Sequence, residues 1–195
     1  MRVIRGALLA ALLGVVSGCG ATAGGSPPTS GSATGAGLSS TATSTYSSRG
    51  ADILFAQMTL LHHEQTVTLA DLATTKAGIR SEVRELARDL RAIEEPDIAV
   101  LRAWLIEWNA PERLNVHSGH PMKGILLDVE MAGMEALDGA AFESAWLVRM
   151  IAHQDGAAEF AGSVVRRTGD DRVRTMARRV IQTMPAQVVQ LQALR

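Results

Sequence analysis

The chain is predicted to be all-α: an antiparallel four-helix bundle made of two duplicated helical hairpins joined by a long central connection. Three features predict it. Two segments 91 positions apart carry matching histidines, Phe55-Ala-Gln-Met-Thr-Leu-Leu-His62-His63 and Trp146-Leu-Val-Arg-Met150-Ile-Ala-His153-Gln154. In each, an aromatic residue precedes the histidine by seven positions, close to two helical turns, so ring and imidazole share a face. Apolar residues recur at steps of three and four, and no convincing strand alternation occurs. Finally, the long helical stretches form two pairs, each with a proline in its second member, Pro96 and Pro185.

The first residues address the compartment. Arg2 and Arg5 precede an apolar run from Ala7 to Val16 that is too short to span a bilayer, so residues 1–18 read as a signal peptide. The run closes on Val16-Ser17-Gly18-Cys19, which resembles the bacterial lipobox and implies cleavage before Cys19 and lipidation of its thiol. Each buried acyl CH₂ contributes roughly 0.8 kcal/mol, so several chains on one cysteine hold a protein at a membrane without a spanning helix. Cys19 is the single cysteine, which excludes a disulfide, a cysteine nucleophile and a Cys-ligated zinc site from the folded part. Residues 19–48 are nearly all Gly, Ala, Ser, Thr and Pro, a composition that cannot bury enough apolar surface to offset chain entropy, and read as a disordered tether.

Residues 49–195 remain for one compact domain with a real core. In the first helix, Ala51 to Lys76, Phe55, Met58, Leu61, Leu69 and Leu72 mark one face and Gly78 suits the C-cap. The second, about Ser81 to Trp108, carries Val83, Leu86, Leu90, Ile93, Val100, Leu101, Trp104 and Leu105, and Pro96 should bend it. An irregular stretch runs through Gly124, followed by a short helix from Asp128 to Leu137 that Gly139 interrupts. The third long helix, about Ala140 to Arg167, has Trp146, Met150, His153, Ala157, Phe160 and Val164 in a continuous seam. Thr168-Gly169-Asp170 ends it and caps the last helix, Asp171 to about Leu194.

Charge and composition limit the function classes. A formal net charge of −1 argues against a nucleic-acid partner, and the arginines at 166, 167, 172, 174, 178 and 179 lack interleaved aromatics and suit a solvated face. The five histidines fall in three places: His62-His63, His117 and His120, and His153. Imidazole is the commonest biological metal ligand, and thioether sulfur adds a preference for soft ions such as Cu(I). Met58 lies four residues before His62 and Met150 three before His153, so each pair shares a helical face. His117-Ser-Gly-His120-Pro-Met122 brings two more imidazoles and a thioether into six residues. The candidate metal ligands are therefore His62, His63, His153, Met58, Met150, His117, His120 and Met122. The competing reading makes the helical histidines hydrogen-bonded core residues and the methionines core filler. Two imidazole nitrogens on one ion stand some 3–4 Å apart, so the positions of the rings decide between the two.

The His62-His63 segment, the Trp104-Leu105-Ile106-Glu107-Trp108 end of the second helix, and Phe142 to Ala161 with Met150-Ile151-Ala152-His153 and Gly156-Ala157 resemble the DUF305 family. The resemblance covers essentially everything from Ala51 onward. It implies a ferritin-like four-helix bundle on the extracytoplasmic side, often lipid-anchored, with some members linked to copper or other metals. The chain departs from the family pattern where Thr59, Thr66 and Leu69 stand in the first motif, where Gln154 replaces the second histidine and Phe160 a methionine in the second, and at Ile125 and Leu126. Leucine and phenylalanine keep the packing but offer no lone pair to a metal.

These readings converge on a lipoprotein held on the extracytoplasmic face of the cell membrane through Cys19, binding copper or another transition metal through histidine and methionine. The alternative is a structural or partner-binding module with a degenerate metal site, a reading that leaves a protein partner or homo-oligomer open. An enzyme is not expected. A di-iron oxidase needs Glu-x-x-His pairs, and the sequence contains none.

Overall fold

The computed structural model describes residues 48–114 and 123–195, and among them there are five helices and no strand. These are α1 (Ser48–Thr75), α2 (Ser81–Glu107), α3 (Asp128–Ala136), α4 (Gly139–Val164) and α5 (Asp171–Leu194). Residues 1–18 with the expected signal peptide, Cys19, and His117, His120 and Met122 lie outside the described residues. No described helix is long and apolar enough to cross a membrane.

Two antiparallel hairpins, α1 with α2 and α4 with α5, hold the densest packing. They meet mainly through α1 and α4, with α2 against α5 closing the ring of four and α3 lying on α4. α1 is helical from the first described residue, Ser48, and near that end Asp52 is buried and accepts a hydrogen bond from the Thr168 hydroxyl. α4 stops at Val164, before Arg167, where the Thr168 N–H turns back to the Val164 carbonyl. The Asp170 side chain then accepts the Arg172 N–H at 2.8 Å and caps α5. Gly78, with φ +73°, takes the left-handed conformation that the turn after α1 requires. Both α2 and α5 continue through their prolines, which supply no N–H to the carbonyls of Ala92 and Ile181.

The duplication holds residue by residue in the burial pattern. On α2 and α5, Val83 and Val173, Leu86 and Met176, Ala87 and Ala177, Leu90 and Val180, and Leu101 and Leu191 are buried equivalents 90 positions apart. On α1 and α4 the same holds at 91 positions for Phe55 and Trp146, Ala56 and Leu147, His62 and His153, and Ala70 and Ala161. The apolar core falls into two clusters. One contains Leu69, Leu90, Trp146, Met150 and Leu191, and the other Phe55, Leu101, Ala157, Val180 and Met184. Fully burying a side chain of this size stabilises the fold by about 1.5–3 kcal/mol. Along each long helix a buried polar stretch separates them: His62-His63 on α1, Glu94 and Asp97 on α2, His153-Gln154 on α4 and Gln187 on α5. A polar layer thus crosses the middle of the bundle.

Candidate metal centre in the polar layer

Glu94 is the centre of this layer. The apolar seam of α2 steps from Leu90 by four to Glu94, by three to Asp97 and by four to Leu101, so helical phase alone carries both acids inward. Glu94 is only 1% exposed. His63 Nδ1 donates to its Oε2 at 2.7 Å, and Gln154 Nε2 donates to Oε1 at 2.8 Å. His62 Nδ1 stands 3.4 Å from the same Oε2 and 3.4 Å from His63 Nδ1. One nitrogen from each imidazole and one Glu94 oxygen therefore lie within 4.8 Å of one another.

His63 is held between two acids, with Nε2 3.6 Å from Asp97 Oδ2 while Nδ1 faces Glu94. Burial alone would lower its pKa, but the carboxylates of Asp97 and Glu94 against its two ring nitrogens prevail and raise it to about 9. The Glu94 carboxyl would be pushed up by burial, yet the two imidazoles hold it well below its ordinary range. Asp97, likewise opposed by burial, is lowered by His63 and by Arg179, with which it is paired. At neutral pH the layer therefore contains a buried imidazolium between two carboxylates.

His153 does something different. Its ring stacks on that of His62, centroids 3.9 Å apart and planes within 10°. His62 Nε2 faces the His153 carbonyl at 3.2 Å, and His153 Nε2 faces the His62 carbonyl at 3.2 Å. His153 Nδ1 lies 2.9 Å from the Gly124 carbonyl. Burial first, then the adjoining His62, lowers the His153 pKa to about 3. A neutral ring carries one N–H, and we assign it to the shorter contact, as donor to Gly124. For His62 an Nδ1–H would be given to Glu94, whereas an Nε2–H given to the His153 carbonyl would leave the Nδ1 lone pair for an ion. The latter is the arrangement by which a backbone carbonyl orients a ligating imidazole.

Close approach by Gly124 and Gly156 makes the His153 contact possible. Gly124 has φ +81°, and a Cβ there would overlap the Ala152 carbonyl. A Cβ on Gly156 would overlap the Lys123 carbonyl. The end of the central connection thus lies directly on α4 over His153.

Of the expected ligands, His62, His63 and His153 meet in the layer, but only the first two present ring nitrogens to a common point with a third donor. Met150 is packed in the apolar cluster with Trp146, and Met58 is buried one position out of register with it, since Thr59 is the equivalent of Met150. The methionine beside the imidazoles is Met184. With Thr59, His62, His63 and Phe160 it lines a void of about 10 Å³. Glu94, Asp97, Met184 and Gln187 were not among the sequence candidates. The signal for the acids was available, as two carboxylates interrupting an apolar seam at its own spacing.

The two halves of the layer are equivalent in position and different in chemistry. At 90 positions, Glu94 corresponds to Met184 and Asp97 to Gln187, while Gln154 stands where His63 does at 91. Gln154 Nε2 also donates to Gln187 Oε1 at 2.9 Å. Thr66 Oγ1, Gln154 Oε1 and Gln187 Nε2 are buried without a hydrogen-bond partner, each at about 1–3 kcal/mol of stability, while His63 Nε2 has the 3.6 Å ion pair with Asp97 in place of a hydrogen bond.

A family profile described as "Domain of unknown function (DUF305)" matches residues 52–195. We found no match among curated proteins. Solved structures with the same fold include a DUF305 protein from Streptomyces coelicolor, with 24% identity, TM-score 0.66 and coverage of 76% of this chain and 91% of the other. A DUF305 fragment from Deinococcus radiodurans has 24% identity, TM-score 0.66 and coverage of 74% and 94%. CopM in its Cu(I)-bound form has 21% identity, TM-score 0.60 and coverage of 73% and 94%.

Proposed function

The chain belongs to the DUF305 family, and on that footing we propose that it is an exported, lipid-anchored protein that binds a copper-type ion at His62, His63 and Glu94. The observation that carries this reading is the convergence of His62 Nδ1, His63 Nδ1 and a Glu94 oxygen within 4.8 Å in a buried layer. Their 3.4 Å nitrogen separation suits two imidazoles on one ion. Two imidazoles and a carboxylate favour Cu(II) or Zn(II), and the Met184 thioether beside the same rings extends the range toward Cu(I). When bound, the ion would be held by these side chains, with His153 fixing the His62 ring and Gln154 fixing Glu94. Further support comes from CopM, a fold relative known in Cu(I)-bound and Cu(II)-bound forms. Export rests on the signal-like residues 1–18, anchoring on Cys19, and the Streptomyces coelicolor relative is itself named as a candidate secreted protein. We assign no catalytic step to the layer.

The deciding experiment is titration of the full chain with Cu(I), Cu(II) and Zn(II) beside a variant carrying His62→Ala, His63→Ala and Glu94→Gln. Tighter binding of at least one ion by the unaltered chain supports the reading. Equal, weak binding by both defeats it.

One observation favours a second reading, a structural or partner-binding module. The His63–Glu94 pair already satisfies its own charge, so the layer can stand as an internal ion pair. Capture of one stoichiometric membrane partner, unchanged by chelators and by the triple variant, would support that alternative.

A further inference from the structure

We propose that the groove between α2 and α5 over Asp97 is the port through which a cation reaches and leaves the His62–His63–Glu94 site, with Asp97 as its first oxygen ligand and Arg179 as the counter-charge it displaces. This rests on the metal-binding reading above. His62, His63 and Glu94 are each 1% exposed, so an ion must pass some partly open group. Among the described residues Asp97 is such a group: its side chain is 12% exposed, and its Oδ2 stands 3.6 Å from the buried His63 Nε2, which has no hydrogen bond. His63 turns its other nitrogen to Glu94. Asp97, His63 and Glu94 therefore form an unbroken file of ligating groups from surface to interior.

The groove above Asp97 has a volume of about 490 Å³ and walls that include Trp104, Arg172, Met176 and Arg179. Its two arginines are held differently. Arg172 is fixed by paired hydrogen bonds to Glu107, by Asp170 and by the Trp104 ring. Arg179 is half exposed, and Asp97 is the acid with which its guanidinium pairs, so it can swing off toward solvent without breaking a network. Pro96, immediately before Asp97, removes a backbone hydrogen bond at the same level of α2.

Two other openings are less suited. A groove of about 420 Å³ between α1 and α2 is lined by Glu64, Thr68, Glu95 and Arg102 and includes no residue of the polar layer. The void beside Phe160 touches both imidazoles, but at about 10 Å³ it has room for about one water and not for a hydrated ion.

The test is stopped-flow mixing of the full chain with Cu(II), paired with equilibrium competition, for Arg179→Met, Asp97→Asn and Phe160→Ala, each checked for fold by circular dichroism. Arg179→Met is expected to raise association and dissociation rates together by roughly tenfold while the Kd stays within about threefold, as removal of a gate charge should. Asp97→Asn is expected to slow association by roughly tenfold, and Phe160→Ala to leave both rates unchanged. Wild-type rates in both groove variants, or acceleration by Phe160→Ala alone, would overturn the port. If the unaltered chain binds Cu(II) no better than the His62→Ala, His63→Ala, Glu94→Gln variant, the metal reading falls and takes the port with it.

Discussion

His62 and His153 stack face to face, and each turns its Nε2 toward the other residue's own backbone carbonyl at 3.2 Å. The contact joins the two hairpins at equivalent positions. It also gives the two rings separate duties, because the His62 Nδ1 faces Glu94 and the His153 Nδ1 faces Gly124.

From this, His153→Ala should act chiefly on stability. It opens a void and leaves the Gly124 carbonyl without its donor, at about 2–4 kcal/mol. Urea denaturation measures the loss. A Cu(II) affinity that collapses while stability is kept would make His153 a ligand instead.

Glu94→Gln removes one of the two charges that hold His63 protonated, leaving Asp97 as the other. A loss of about 2–3 kcal/mol is expected at pH 7, less than the full cost of an orphaned buried charge because His63 can shed its proton. Above about pH 9 the wild-type imidazole is itself neutral, so the difference between the two proteins should shrink there. A pH-independent difference would show that the ion pair is not its source.

The pH dependence of the metal-free protein follows from opposed shifts. The His63 pKa is raised from 6.5 to about 9, so the folded state binds more protons in that interval, and this contribution is full below pH 6.5 and lost as pH rises through 9. For His153 the pKa falls from 6.5 to about 3, so the unfolded state binds more protons there, and its contribution is full above pH 6.5 and lost on acidification. Lowering of Glu94 adds to the acid-side loss. Thermal midpoints should therefore peak near pH 6.5 and fall on both sides. A flat profile between 6.5 and 9 would contradict the buried imidazolium.

Gln154→His restores an imidazole where the first hairpin has His63, next to the second oxygen of Glu94. Competition titration should find Cu(II) held more tightly by about tenfold, equivalent to roughly 1.4 kcal/mol. Unchanged affinity in a folded variant would mean that Glu94 does not take part in binding.

Two glycines of α4 should respond in opposite ways. Gly156→Ala drives a Cβ into the Lys123 carbonyl and should destabilise by about 2–3 kcal/mol. Gly162→Ala meets nothing within 4 Å and should stabilise by about 0.5–1 kcal/mol through helix propensity.

The helices were legible because their apolar seams are long and in phase, and the matching histidines located the hairpins correctly. The site was legible only in part. Glu94 sits in Arg91-Ala-Ile-Glu-Glu-Pro-Asp97, a charged run that looks solvated, and only the step of four from Leu90 separates buried Glu94 from exposed Glu95. Met184 escaped notice for the opposite reason, since a methionine on an apolar seam is indistinguishable from core until its neighbours across the bundle are known. The seating of Gly124 on α4 depends on a tertiary approach that no local spacing encodes. His117, His120 and Met122 fall outside the described residues, and so does Cys19.

The register between the hairpins also bears on how such an interior can be encoded. Two separate copies of the first hairpin, paired about a twofold axis, would be bound to place Glu94 and Asp97 in both halves and so double the buried carboxylates. Covalent fusion lifts that constraint, because each copy can then diverge by itself, and here Met184 and Gln187 fill the equivalent places. Symmetry breaking at these two positions, and at Gln154 opposite His63, leaves the buried carboxylates and the imidazolium in one half only. A bundle of this kind is therefore directional inside, a property that a symmetric dimer of hairpins has no means to express.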